Sequence, residues 1–231
     1  MKNNKLLIIT DSVSMPRPGI PYESTWIYKL KKEFPNLDII DKAARGSTSM
    51  RLVTEGGGGV DLLETYMPEV VILQIGITEC APRLFKKHGL EYFFMNKILT
   101  QKLRQKYIDY IKLHRVRKAE LADVPPVIFK KNLQNYCKRA SDYGTKVLII
   151  KILKATNLYI KKSPNIQQSI DLYNSIIDSV AAEFVNVTTL SPLQGHHNID
   201  ELCIDELHIN KAGHELYFLA ISNRIKTLFL E

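Results

Sequence analysis

The sequence predicts an α/β protein, a three-layer α/β/α sandwich built on a central five-stranded parallel sheet. Three observations carry that prediction. Short apolar, β-branched runs alternate with longer segments of helical period, as when parallel strands are joined by crossover helices. Most of these runs are nearly unbroken in apolar residues, which fits strands covered on both faces. The residues able to do chemistry fall just beyond the ends of the runs, where the loops of an open parallel sheet converge.

The first run, "KLLIIT" at 5–10, lies near Lys2 and includes Lys5, in the manner of an export signal. It is too short for one and meets Asp11 with no small-residue cleavage site. It therefore reads as the first strand, and the expected compartment is the cytoplasm. "LDIID" at 37–41, "EVVILQIG" at 69–76, "KVLIIKIL" at 146–153 and "FVNVTTL" at 184–190 supply the other four strands. A helix over 24–34 starts at Ser24, whose hydroxyl suits an N-cap, and ends before Pro35. A second, over 125–144, opens on prolines and closes on Gly144. A third, over 163–184, lines up Ile166, Ile170, Tyr173, Ile177 and Val180 on one stripe, and a last helix covers about 211–230. The stretch at about 84–124 is too long for one crossover and predicts extra helices on the rim of the strand ends. With no repeat or linker in view, 1–231 is expected to be one domain carrying that basic helical insertion.

The chain has 45% hydrophobic and 24% charged residues, the balance of an ordinary globular protein. No run approaches the ~18 apolar residues that a membrane span needs, and no lipid-binding stripe is evident. Cys80, Cys137 and Cys203 are odd in number and widely spaced, so they read as buried free thiols. The net charge of +8 is concentrated in "KKHG", "TQKLRQKY", "KLHRVRKAE" and "FKKNLQNYCKR", between Lys86 and Arg139. A solvated helix face is the simpler reading, with an anionic sugar, a lipid surface or a nucleic acid as alternatives. No nucleic-acid module accompanies the charge, and no nucleic-acid partner is expected. No metal or cofactor is expected either. "GGGG" at 56–59 lacks the lysine and hydroxyl of a phosphate loop and reads as a rim loop. His196 and His197 have no third ligand at a recognisable spacing and read as loop residues.

Four loops carry the chemistry. Asp11-Ser12 follows the first strand, "AARGSTS" (43–49) the second, "GITECAPR" (76–83) the third and "IDELHINKAGH" (204–214) the last. This ordered set resembles the SGNH hydrolases, the esterase and lipase family also called GDSL, along nearly the whole chain. The family's Gly-Asp-Ser block reads Thr10-Asp11-Ser12 here, and its second-block glycine is Gly46. Its Gly-x-Asn-Asp block reads Gly76-Ile77-Thr78-Glu79, and its Asp-x-x-His block is Asp205-Glu206-Leu207-His208.

The resemblance implies a flavodoxin-like SGNH fold with Ser12 as nucleophile, His208 as base and Asp205 as its orienting acid. Those types suit the task, because a serine hydroxyl needs a base as it attacks and an imidazole titrates near ~6.5. It also implies an oxyanion hole from the backbone N–H groups of Ser12 and Gly46 and the side chain at position 78. There the family asparagine is replaced by Thr78, whose shorter hydroxyl has one proton to orient. Arg83 could supply a compensating cation, and Asp11, Glu79, Arg17 and Arg45 are further candidates for touching substrate. His214 is expected to pack or cap within the last helix.

The expected reaction is serine-dependent hydrolysis, through an acyl-enzyme, of a small acyl ester such as an acetyl ester of a carbohydrate or metabolite. Two alternatives stay open. A sugar hydroxyl could resolve the same acyl-enzyme, making the protein an acyltransferase. Thr78 and Glu79 also motivate a weakly active or non-catalytic protein that binds a glycan or nucleotide-sugar. A flavodoxin-like nucleotide binder is disfavoured, since Asp11 stands where a phosphate would sit. The oligomeric state is open.

Overall fold

Unbroken apolar runs can form strands only where both faces of the sheet are covered, and the sheet obeys that demand at its centre. A computed structural model describes residues 4–54, 58–81, 89–114, 122–196 and 198–230. Its strands are β1 (Lys5–Thr10), β2 (Asp38–Asp41), β3 (Val70–Gln74), β4 (Lys146–Ile150) and β5 (Val187–Leu190). All pairs are parallel, in the order β2-β1-β3-β4-β5. Leu6 to Ile9, Val70 to Leu73 and Val147 to Ile150 are fully buried. The edge strands β2 and β5 are mostly half-buried and carry Asp38, Thr188 and Thr189.

The helices are α1 (Trp26–Glu33), α2 (Ile77–Cys80), α3 (Leu90–Lys97), α4 (Gln101–His114), α5 (Pro126–Asp142), α6 (Asn157–Lys162), α7 (Ile166–Glu183) and α8 (Lys211–Leu230). The chain builds from β1 outward to β2, then returns to β3 and builds the other way. Right-handed crossovers in opposite directions place α1 on one face of the sheet and α5 and α7 on the other. α8 returns to pack on α1, while α5 packs on α7, which completes three layers. The strand order therefore reverses between β1 and β3, the position where such sheets leave a crevice at their carboxyl edge.

The expected elements recur with shifted ends. α1 is capped by Thr25 rather than Ser24; the Thr25 hydroxyl accepts the Tyr28 N–H at 3.3 Å, while Ser24 closes a preceding 3-10 turn. β4 stops at Ile150 because the Asn174 amide, on α7, takes both the N–H and the C=O of Ile152, at 2.8 and 2.9 Å. β5 begins at Val187, since Phe184 still closes α7 through its N–H to Ala181. The helix expected over 163–184 starts at Ile166, and α6, capped by Thr156, precedes it. The insertion holds α3 and α4; residues 82–88 and 115–121 lie outside the described residues. Cys80 and Cys137 are buried thiols and Cys203 is half-buried. No helix among the described residues is long and apolar enough to cross a membrane.

His214 joins the two helices of one layer rather than capping within its own. It is 1% exposed on α8, and its Nδ1 accepts the Trp26 N–H, an otherwise orphaned donor at the start of α1, at 3.4 Å. Burial, with Lys29 and Arg17 nearby, pushes its pKa down to about 4. A base depressed on folding contributes stability above its unfolded pKa of about 6.5 and loses it as the pH falls toward 4. The stability of wild type relative to His214→Gln, read from urea midpoints, should therefore fall by up to about 3 kcal/mol as the pH is lowered from 7 to 4.

Candidate active site

The serine turn is built by its neighbours. Beyond β1 the Asp11 N–H donates to Gln74 C=O at 3.1 Å, so the end of β1 is tied to the end of β3. The Asp11 carboxylate accepts the Val13 N–H at 2.9 Å and opens the 3-10 turn Ser12–Ser14. Thr10 and Ser14 hydroxyls lie 2.6 Å apart, and Ser14 also donates to Asp11 C=O. Thr10 and Ser14 are buried, while Ser12 keeps a half-exposed position at the top of the turn.

The acid and the base come from one tight turn. Cys203 and Ile209 form an antiparallel bridge, and the Ile204 N–H donates to His208 C=O at 2.8 Å. Inside this loop Asp205 Oδ1 accepts the N–H groups of Leu207 and His208 at 3.0 and 2.9 Å. The same carboxylate meets His208 Nδ1 at 2.9 Å (Oδ1) and 2.8 Å (Oδ2). A three-residue spacing thus lets one side chain cap the turn and hold the ring. The loop is anchored outside by the Thr156 hydroxyl, which donates to Glu206 C=O, and by a Lys162–Glu206 ion pair.

Across 196 residues of sequence, His208 Nε2 stands 3.1 Å from Ser12 Oγ. With Asp205 at Nδ1, the proton of a neutral ring belongs there, which leaves the Nε2 lone pair free to accept from the serine. Burial pulls the His208 pKa below its ordinary value against Asp205, and Arg17 and Arg45 reinforce the drop. Burial also pulls Asp205 up, but the Leu207 and His208 N–H groups and the imidazole outweigh it and hold the carboxyl low. At neutral pH the arrangement is Asp⁻, neutral His and Ser–OH, the state required for proton removal from Ser12.

The remaining candidates divide sharply. Gly46 has φ +65°, which a side chain rarely tolerates, and it sits exposed in the loop after β2. Beside it, Arg45 is exposed and reaches the serine loop through Pro16 C=O at 3.1 Å. Thr78 is half-buried in α2, directly after Gly76, whose φ is +122° and whose Cβ position is filled by Ile152. Glu79 is a correction to the sequence reading: fully buried, it accepts the Ser49 N–H and pins the Gly46 loop to α2 instead of facing substrate. Asp11, 1% exposed, is likewise spent on the turn. Burial pushes both carboxyls up to about 7. Arg83 and His197 lie outside the described residues, as do 55–57.

Two hollows are lined by residues beyond the carboxyl end of β4, and neither has Ser12 or His208 in its wall. A cavity of about 20 Å³ has Asp11 and Val13, the residues on either side of Ser12, in its wall, with Ile77, Ile152, Leu153 and Leu207. It has room for one water-sized or methyl-sized group. A larger cleft of about 550 Å³ shares Lys151 to Lys154 and Tyr217 with it and is also lined by Asp171, Gln194 and His196.

This geometry has counterparts among solved structures. The esterase EstA from Pseudoalteromonas sp. is similar over 99% of this chain and 100% of its own, with TM-score 0.59 and 18% identity. A GDSL-like lipase from Bacteroides thetaiotaomicron VPI-5482 matches 97% of this chain and 89% of its own, with TM-score 0.62 and 12% identity. The chain has the fold of the SGNH, or GDSL, hydrolases. Axe2, an acetylxylan esterase from Geobacillus stearothermophilus, shares the SGNH fold over 96% of this chain and 93% of its own, with TM-score 0.60 and 15% identity. No family model and no curated protein sequence matches the chain.

Within this SGNH fold, Arg17, a candidate for touching substrate, lies between the serine and Asp205. Its Nη2 donates to Ser12 C=O at 2.9 Å, and its Nη1 lies 3.7 Å from Asp205. The signal was "PRPG": Arg17 and Ile20 bond to each other at both backbone groups around Pro18 and Gly19, with Gly19 at φ +83°. That hairpin returns the guanidinium to the serine. Removing its charge relieves His208 of a repelling cation, so the acid limb of the kcat/KM profile should move to higher pH in Arg17→Gln and stay near its wild-type position in Arg17→Lys.

Proposed function

We propose that this chain is an SGNH-type serine esterase that removes a small acyl group, acetyl above all, from a carbohydrate or related metabolite. The observation that carries this reading is the unbroken hydrogen-bonded run Ser12–His208–Asp205. His208 Nε2 takes the Ser12 proton as Oγ attacks the ester carbonyl, and Asp205 steadies the imidazolium that forms. The tetrahedral oxyanion is held by the backbone N–H groups of Ser12 and Gly46 and the Thr78 hydroxyl. On collapse His208 gives its proton to the departing alkoxide, leaving an acyl-Ser12 ester. His208 then deprotonates a water that attacks this ester, and the second collapse returns the proton to Oγ.

A small acyl group fits the smaller hollow, which is mainly apolar, of methyl size, and walled by Asp11 and Val13 on either side of Ser12. The fold shared with an acetylxylan esterase agrees with that assignment. Arg45, exposed beside Gly46, would meet the alcohol portion.

A fluorophosphonate probe should label the wild-type protein at Ser12 and leave Ser12→Ala unlabelled. Failure to label folded wild type would remove the esterase reading and favour a binding protein. His208→Ala should lower kcat by about 10⁴-fold or more. Among p-nitrophenyl esters, kcat/KM should be highest for acetate and fall with each added pair of carbons; a preference for octanoate would overturn the small-acyl assignment.

A further inference from the structure

Polar side chains from distant parts of the chain meet in the core beside α2. Glu79 of α2 and Ser49, in the 3-10 turn Ser49–Leu52 after the Gly46 loop, are fully buried, and Asn132 of α5 is 5% exposed. The Glu79 carboxyl accepts the Ser49 N–H, and the Asn132 amide donates to Ser49 Oγ at 3.1 Å and to Met50 Sδ at 3.3 Å. The second carboxyl oxygen, Glu79 Oε2, is buried with no hydrogen-bond partner among the described residues. Burial pushes the acid up to about 7 against its bonds to Ser49, so a neutral side chain can do the accepting here.

Stability alone does not call for this trio. Burying an acid, a hydroxyl and an amide is unfavourable, their mutual bonds only offset the loss, and apolar side chains of like shape would fill the space about as well. An orphaned carboxyl oxygen adds to the penalty. What hydrogen bonds supply and apolar packing does not is a fixed distance and direction. That fixed span joins two particular segments: Ser49 lies three residues beyond Gly46, and Glu79 directly follows Thr78. The far side of the Gly46 loop is held separately, since Arg51 donates to Ser47 Oγ at 2.9 Å and to Lys42 C=O at 3.2 Å, beyond the end of β2. Without the Glu79 bond the loop would stay tied to β2 but lose its register with α2.

We propose that Glu79, braced by Ser49 and Asn132, is a positioning residue that sets the separation of the Gly46 N–H from the Thr78 hydroxyl. The proposal rests on the esterase reading, in which those two groups hold the oxyanion, and extends it. Donors share one oxyanion only when each stands about 3 Å from the same point, and a displacement there lowers rate rather than binding. Acylation and deacylation both pass through such an oxyanion, so both slow together and KM holds.

Steady-state hydrolysis of p-nitrophenyl acetate tests it, beside fluorophosphonate labelling of Ser12. Glu79→Leu cannot accept the Ser49 N–H; it should lower kcat at least about tenfold, with KM within about twofold of wild type and unfolding still above the assay temperature. Glu79→Gln keeps an acceptor in place and should restore kcat to within about threefold of wild type. Ser49→Ala keeps the N–H that Glu79 binds and removes only the hydroxyl that Asn132 grips. It should lower kcat about threefold or more at unchanged KM, and it decides the question should Glu79→Leu fail to fold. Folded Glu79→Leu and Ser49→Ala variants with wild-type kcat, a loss confined to KM, or an equal loss in Glu79→Gln would overturn the positioning role, while a labelled and active wild type left the esterase reading standing. A wild type that neither labels nor hydrolyses would remove both.

Discussion

The five strands run in one direction, and the site depends on that constraint before any side chain is considered. Parallel pairing collects every carboxyl-terminal loop at one edge, so residues 12, 46, 78 and 208 are delivered to the same rim from four parts of the chain. The reversal of strand order between β1 and β3 then opens the crevice where Ser12 emerges. Register completes the placement: Leu6 lies opposite Val70 and Thr10 opposite Gln74, and the Asp11 N–H extends the ladder by one bond. A slip of one residue would carry Ser12 about 3.3 Å along the strand, as far as the whole Ser12–His208 hydrogen bond.

Within that rim, three carboxyl groups sit in different environments and acquire different duties. Asp11 and Glu79 are buried and pushed toward neutrality, and each satisfies a backbone N–H that shapes a loop. Asp205 is less buried and receives two backbone N–H groups and the imidazole, so it stays ionised. The buried pair fixes where the nucleophile turn and the Gly46 loop stand, and the third acid fixes the ring. Arg17 links the two halves, with one nitrogen on the serine's carbonyl and another beside Asp205. Its charge opposes protonation of His208, which keeps the base ready at a lower pH.

Much of this was legible in the sequence. β1, β3 and β4 announce themselves because strands covered on both faces need unbroken apolar runs, and the strand-end positions of Ser12 and His208 follow from the order of the loops. Strand ends were less legible where a distant side chain decides them, as Asn174 does for Ile152. Ser24 and Thr25 offer adjacent hydroxyls, and local sequence cannot choose the cap between them. Depth is also invisible along a chain: Asp11 and Glu79 read as polar residues in a crevice, yet both are buried. The duty of Arg17 waited on a two-residue hairpin that turns it back.

The turn from Cys203 to Ile209 has a consequence for how the proposed catalytic set can change over time. Since the acid and the base travel as a single covalent cassette, lengthening or shortening the connection from Leu190 to Ile199 shifts both together and leaves their mutual bond untouched. Only one long-distance coordinate, the gap between that cassette and the serine, must be guarded by the rest of the molecule. The rim beside it is therefore open to remodelling with the bond between Asp205 and His208 intact.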